Sequence, residues 1–511
     1  MEFKHQSVIT LLNMKYIKYT YLVFAIALFS ACDDFLSKNP DDRAVLDSYD
    51  KIGELLTYAY PDQNHQMFCY AMSDNATEKV NGATKNIIMA DAYHWREHHL
   101  TSQDTPEAYW TACYSAIKQI NHALEGIDNF RVNGQIPSEL TAYYGEALVA
   151  RAYAHFMLVS LWSKSYNPQT AASNMGIPYV KEPEKQVLKQ YHRGTVQDVY
   201  KNIEADLIEG IAYIDDTKYK NKKLHWNKDA ANVFAARVYS VLGDFEKVLA
   251  YTNKVLSANP AQQIRDLNDK YTKMDVLEML AQWSKTSENA NLLVVPQYSN
   301  WFSYTYGRDI FGMSYDAYRY IFRTPFVGGQ WIWDLYGQDP NIFIPKWQFH
   351  RERSGINASE GYYMIMNPLI QMEEALFLRM EANVMLNNFA AFEQDMNAYL
   401  SKRLKNYQFD THAFSYEKME LEYRESEIYG LNPFYAISKE QRPYLNCLFD
   451  LRRKEFYYTG MRWFDLKRFN VRVRHFFARQ SKPVFLEPDD NRRELQIPSN
   501  AISNGITPNP R

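Results

Sequence analysis

The chain has 511 residues, with 57 Lys and Arg against 60 Asp and Glu, giving a formal net charge of −3. That balance lacks the basic excess needed to neutralise a run of phosphates, so a nucleic-acid partner is excluded. Tyrosine is the compositional oddity: 40 residues, within an aromatic fraction of 15%, supply rings that stack on flat apolar faces and hydroxyls that hydrogen-bond.

Lys15 and Lys18, the apolar stretch from Tyr21 to Ala31, and the run Leu28-Phe29-Ser30-Ala31-Cys32 read as the charged, apolar and small-residue parts of a bacterial lipoprotein leader. Residues 1–31 are then the signal peptide and Cys32 the lipidated amino terminus. Met1 to Asn13 match no part of a leader, so a start at Met14 gives one of ordinary length. The apolar stretch falls short of the ~20 residues that span a bilayer. Acyl chains, at about 0.8 kcal/mol per buried CH₂, anchor stably when more than one is attached. Asp33 to Asp42 form a polar, acidic tether. Cys69, Cys113 and Cys447 are widely spaced and make no CxxC pair, so one disulfide and buried free thiols both stay open.

Helical spacing then dominates. Trp110, Tyr114, Ile117, Asn121, Leu124 and Ile127 predict one helix, and Leu140, Tyr144, Ala147, Arg151, Ala154, Leu158 and Leu161, after Pro137-Ser138, predict its antiparallel partner. Thr195 with Asp198 reads as a capping box opening a third, with Val196, Val199, Ile203, Leu207 and Ile214 on one face. From Asp229 to Asn259 a helix, a Gly243-Asp244 turn and a second helix make a tetratricopeptide-like unit. Met372 to Leu386, Asn387-Asn388, and Phe392 to Leu404 repeat it, and such pairs must stack on neighbours to bury their faces. Between them, about Gln262 to Asn367 shows little periodicity yet holds Trp283, Trp301, Trp331, Trp333 and Trp347, half of the ten tryptophans. This aromatic insert is either a satellite core or a ligand platform.

Near the end the chain reads Leu451-Arg452-Arg453-Lys454-Glu455-Phe456, then Gly460-Met461-Arg462-Trp463-Phe464-Asp465-Leu466-Lys467-Arg468. This block resembles the carboxy-terminal signature of the SusD/RagB family of outer-membrane nutrient-binding lipoproteins, with Thr459 in place of that pattern's Glu and Phe456 in place of its Leu. Glu146 to Tyr153, Phe377 to Ala382, Ile497-Pro498 and Asn509-Pro510 resemble other landmarks of the family in the same order. Arg511 replaces its Gly-Tyr ending. The resemblance implies an all-α SusD-like superhelix of tetratricopeptide-like pairs carrying a long irregular insert. Residues 32–220 form its N-terminal region and 221–511 its C-terminal region, in one globule. The charged signature itself reads as architecture, because Arg452 with Glu455 and Arg462 with Asp465 stand at i,i+3 and can pair locally.

By the same resemblance the protein captures glycans at the cell surface, without cleaving them, and passes them to a SusC-like TonB-dependent transporter in the outer membrane. Asp33-Asp34 resembles the export tag of such lipoproteins. Sugar rings stack on aromatic faces, so Trp301, Tyr304, Tyr306 and Trp331 in the insert are the first candidate contacts, while Trp333 reads better as core. Asn64, Asp74, Asn75 and Trp95, in the loops before the first long helix pair, are the second group. His94, His98 and His99 lack a third metal ligand and the HExxH order, so no metal site and no cofactor is expected, with a structural calcium ion left open. Two other readings remain: a peptide-binding helical scaffold, and a glycoside hydrolase, for which no nucleophile elbow or phosphate loop speaks.

Overall fold

The computed structural model describes residues 46–185, 189–353, 361–424, 430–477 and 482–511. The leader, Cys32 and the acidic tether lie outside the described residues, and Ser48–Arg511 form one compact unit. Three short helices come first: α1 (Tyr49–Leu56), α2 (Gln66–Met72) and α3 (Ile87–Tyr93), the first and third capped by Ser48 and Asn86. The expected long pair follows as α4 (Pro106–Asn129) and α5 (Ser138–Trp162). Thr105 caps α4, and Pro106 occupies its first turn, where a missing N–H costs nothing. On α5 the expected stripe is buried apart from half-buried Tyr144, but so is nearly every residue from Gly145 onward. The cause is a third layer, α6 (Val196–Tyr213), which packs on α5 and opens on the Thr195–Asp198 capping box. Gly145 permits the approach, since a Cβ there would stand 2.7 Å from the Gly210 carbonyl oxygen. Arg151 ties α5 to α6 through two bonds to Asp206, of 2.7 and 2.8 Å.

The first tetratricopeptide-like unit is α7 (Lys228–Leu242) and α8 (Phe245–Thr252), turning at Gly243 with φ +75°, a conformation that suits glycine. The insert then departs from expectation. It contains α9 (Val276–Trp283), α10 (Ser303–Arg308) and α11 (Tyr315–Ile321). It also contains a three-stranded antiparallel sheet of β1 (Asn291–Tyr298), β4 (Phe349–Arg353) and β5 (Gly361–Gln371), in the order β1-β5-β4. A small hairpin of β2 (Tyr336–Gln338) and β3 (Asn341–Phe343) sits between. Residues Asn291 to Val295 are all buried, so β1 lacks the polar alternation that marks a strand in sequence. Pro296 is tolerated because β1 lies at the sheet edge.

The second pair follows as α12 (Met372–Met385) and α13 (Phe389–Arg403), turning at Asn387 with φ +60°. Arg237 on α7 bonds Glu374 on α12 at 2.5 and 2.6 Å, so the two units are clamped together by a buried ion pair. After α14 (Phe409–His412) and α15 (Tyr416–Tyr423), the signature forms α16 (Gln441–Glu455) and α17 (Met461–Arg468). A final hairpin, β6 (Val473–His475) with β7 (Val484–Leu486), and α18 (Ser499–Ser503) close the chain.

The signature is architectural, but its pairs differ from the local ones expected. Gly460, with φ +77°, turns α17 back on α16, and a Cβ there would stand 3.1 Å from the Gln66 Cα. Folding back replaces i,i+3 neighbours by closer charges. Arg452 donates to Asp465 at 3.0 Å, and Glu455 takes Arg403 at 2.7 and 2.9 Å. Arg462 holds Asp74, 388 residues away, through two bonds of 2.8 Å. Glu373 bridges Arg403, at 3.2 Å, and Arg265, at 2.9 Å, and all three side chains are 0% exposed. Lys346 donates to the Glu455 carbonyl at 2.8 Å, and burial pulls its ammonium down to about 7 against the attraction of Glu455. Cys69, Cys113 and Cys447 are free and buried.

Candidate ligand-binding site

Most of the residues singled out in the sequence lie in the interior, each with its own packing partners. Trp301 is 0% exposed and its indole N–H donates to the Tyr458 carbonyl at 2.8 Å. Tyr306, also 0% exposed, stacks on Tyr458 with ring centroids 3.8 Å apart and donates to the Ile344 carbonyl. Trp95 is buried against His475, 4.3 Å between centroids, with its N–H on the Met72 carbonyl. Trp331 is buried with its N–H on the Arg323 carbonyl, and Trp333 is core as expected. Asn64 bonds Gln297 and caps the Gln66 N–H, both inside. A ring whose polar atom is satisfied by a backbone carbonyl is stable in the interior and offers no face to a ligand. Trp301, Tyr306, Trp331, Trp95 and Asn64 are therefore corrected from contacts to packing. The Tyr304 side chain lies outside what is described.

Asp74 and Asn75 form the floor of a surface. Asn75 accepts from the Arg453 Nε at 2.8 Å. Burial opposes charge on Asp74, but Arg453 and Arg462 outweigh it and hold the carboxyl well below the usual carboxylate range. Its strength is spent on arginine, so it is a fixed support and its candidacy as a direct sugar contact is corrected too. Exposed rings also occur on α11, which carries Tyr315 and Tyr320, the latter 6.0 Å from the Arg453 guanidinium, and just after β6, at Phe476. His98 bonds Asp91 at 2.9 Å and His94 its own helix at Ala90, so these histidines serve local structure.

A large recess lies elsewhere. A cleft of about 890 Å³ opens between α4, the loop after α1, and the β1–β5 face. Strand alternation builds one wall: Pro296 pairs with Met366, Tyr298 with Met364, and Glu352 with Tyr362, so these side chains share a face. The Tyr298 hydroxyl donates to Glu352 at 2.8 Å, and its ring meets Tyr362 edge-on at 5.9 Å. Tyr362, 61% exposed beside the cleft, and Tyr58, 68% exposed at its edge, leave ring faces free to stack. The polar lining is amides and hydroxyls from α4, such as Thr111, Ser115 and Gln119, with Gln63 and Gln103.

One polar group in the cleft is held with unusual firmness. Glu146, fully buried on α5, accepts from the hydroxyls of Tyr60, at 2.5 Å, and Tyr219, and from His225 Nδ1 at 2.9 Å. His225 also stacks on Tyr219 with centroids 3.7 Å apart, so its ring is fixed in place and direction. Nε2 is the ring nitrogen that Glu146 does not engage, on a side chain that lines the cleft. Such a volume, part apolar and part hydrogen-bonding, with prefixed polar groups, suits a polyhydroxylated ligand. Tyr58, His225 and Tyr362 carry no sequence signal, because three distant segments create the wall they share.

The helical layers with a carried insert are those of SusD superfamily structures. Solved relatives in fold include a SusD superfamily protein of Bacteroides thetaiotaomicron, 16% identical with TM-score 0.63, covering 92% of this chain and 100% of that one. A SusD-like carbohydrate binding protein of Bacteroides vulgatus is 15% identical with TM-score 0.60, covering 89% and 96%. A laminarin binding SusD-like protein is 16% identical with TM-score 0.53, covering 90% and 98%. Residues 34–240 match the family SusD-like_3, described as starch-binding associating with outer membrane. No curated protein matches the sequence. The resemblance to the SusD-like_3 family is thus carried by residues 34–240, and the fold of the chain is that of the SusD superfamily structures.

Proposed function

We propose that the protein is a surface lipoprotein, anchored through Cys32, that captures oligosaccharides or polysaccharides and delivers them to a SusC-like TonB-dependent transporter. Binding, not bond cleavage, is its task. The observation that carries the reading is the 890 Å³ cleft, with exposed Tyr58 at its edge, Tyr298 in its wall beside exposed Tyr362, and a fixed His225. The family's description and the laminarin-binding relative support the glycan class. Stacking of a sugar on an exposed ring is tolerant of ring identity, and the amides and hydroxyls of α4 supply direction.

The test is affinity electrophoresis of the mature protein in gels containing a panel of polysaccharides, with reducing ends measured alongside. Retardation without reducing-end release is expected. Release would make it a hydrolase, and no retardation by any polymer would overturn capture. A Tyr58→Ala, Tyr298→Ala double variant is expected to lose most of the retardation at unchanged melting temperature. A Tyr320→Ala, Phe476→Ala variant that lost it instead would move the site to the second aromatic surface. Co-purification of a membrane-extracted partner with the lipidated protein, lost on Cys32→Ala, tests anchoring and partnership.

A further inference from the structure

The ionisable groups of the cleft are unbalanced. Its acidic lining residues are Asp62, exposed near the mouth, and Glu107 on the first turn of α4. Glu352 stands beside the rim at Tyr298, and Glu146 lies behind His225. Among the described residues that line it there is no lysine or arginine. His225 is the single nitrogen base, and its Nδ1 is already committed to a carboxylate. The remaining polar lining is neutral: amide and hydroxyl groups such as Gln63, Gln103, Thr111 and Gln119. Arginine is the side chain that matches carboxylate and sulfate oxygens with paired donors, and lysine is the alternative point charge. Neither is present where a bound sugar chain would run.

We infer that the cleft selects uncharged glycans and rejects polyanionic ones, such as uronic-acid or sulfated polymers. The inference rests on the capture reading and narrows its ligand. An anionic sugar unit about 6 Å from Asp62 or Glu107 meets like charge with no compensating cation, and at the effective dielectric of a partly open cleft this costs roughly tenfold in affinity per contact. A neutral sugar exchanges hydrogen bonds with water for bonds to amides, carboxylates and hydroxyls at little electrostatic cost. The acidic side chains are useful here, because an ionised carboxylate is a strong acceptor for sugar hydroxyls.

The experiment compares each neutral polymer that retards the protein with its own carboxymethylated form, so that backbone shape is constant and only charge changes. At 50 mM salt the carboxymethylated polymer is expected to bind at least ~10-fold more weakly, with the gap narrowing at 500 mM as charges are screened. Equal or tighter binding of the charged form would overturn the inference while leaving capture standing. Retardation by naturally anionic polymers alone would do the same. Retardation by nothing would overturn capture itself. The variants Thr101→Lys and Asn500→Lys place a cation at exposed positions of the lining, leaving the tyrosines, the named amides and hydroxyls and the buried Glu146 cluster unaltered. They are expected to recover most of the loss for the charged polymer and leave the neutral one within twofold. Failure of both to change the ratio, in protein with an unchanged melting temperature, would show that charge in this cleft does not set the choice.

Discussion

Replacing Glu455 by Gln removes one charge from the buried block beneath the signature helices. Glu455 meets Arg403 at 2.7 and 2.9 Å, and their side chains are 2% and 0% exposed, so water cannot take over. Breaking a buried pair from one side costs about 3–5 kcal/mol, because the partner stays charged and uncompensated. Two features of the block decide where in that range the cost falls. Arg403 keeps a 3.2 Å contact to Glu373, but Glu373 already serves Arg265, so one carboxylate is left for two guanidiniums. Against that, Lys346 sits at about 7 partly through attraction to Glu455, and losing it favours the neutral amine, which removes a competing positive charge. The middle of the range, about 4 kcal/mol, is the result. For a body of roughly 460 residues the unfolding entropy is about 1 kcal/mol per degree, so the melting temperature drops by about 4 °C. Calorimetry at pH 7 on Glu455→Gln, Arg403→Met and the double variant gives the coupling. The double variant is expected to cost little more than either single one. Additive losses, or a single loss below about 1 kcal/mol, would refute the assignment of this pair as an organising contact.

Asp104 is buried, bonding Ser299 Oγ at 2.5 Å and the Asn300 N–H at 2.6 Å, and burial pushes its carboxyl up to about 7 against those bonds. The folded state then keeps a proton that the unfolded chain releases near pH 4, so its contribution is full below that value and lost as pH rises through about 7. Urea midpoints at pH 4.5 and 8 should show Asp104→Asn losing this part of the slope, and an unaltered slope would contradict it. Asp74 has the opposite sign: Asp74→Asn should lower stability at neutral pH, with the difference from the parent protein vanishing only in strong acid, well below pH 4. His155 donates from Nδ1 to the Arg151 carbonyl and accepts the Val180 N–H on Nε2, a neutral ring with both positions used, and burial draws it down to about 3. Its contribution is present above pH 6.5 and lost as pH falls toward 3. Nitrogen-detected NMR should find Nε2 unprotonated at pH 5, whereas titration near 6.5 would show that the ring is open to water.

What could be read from the sequence was local. The Thr195–Asp198 cap, the Gly243 and Asn387 turns, and the α4–α5 stripes depend on residues within a few positions of one another, and each stands where the spacing puts it. Partners chosen across the fold were not legible. Helical spacing joins Arg452 to Glu455 and Arg462 to Asp465, yet the folded chain takes Asp465 and Asp74, because the Gly460 turn brings other helices closer. The strand β1 hid for a related reason, its buried run having no polar face to set a period of two. Tryptophan density marked packing and not the cleft, whose lining holds none of the five tryptophans of the insert. Trp301 and Tyr306 are where aromatic area is most useful to packing, while the exposed tyrosines owe their position to Tyr58, Tyr298 and Tyr362 meeting from segments that sequence proximity does not link.

The contact between Asp74 and Arg462 also sets a clock. Its two halves leave the ribosome 388 residues apart, which at roughly 5–20 residues per second is on the order of 20–80 s. Through that interval the loop after α2 has no arginine to receive it, and α2 lacks α17, the helix on which it packs. A protein whose first and last segments complete each other stays open while it is being made.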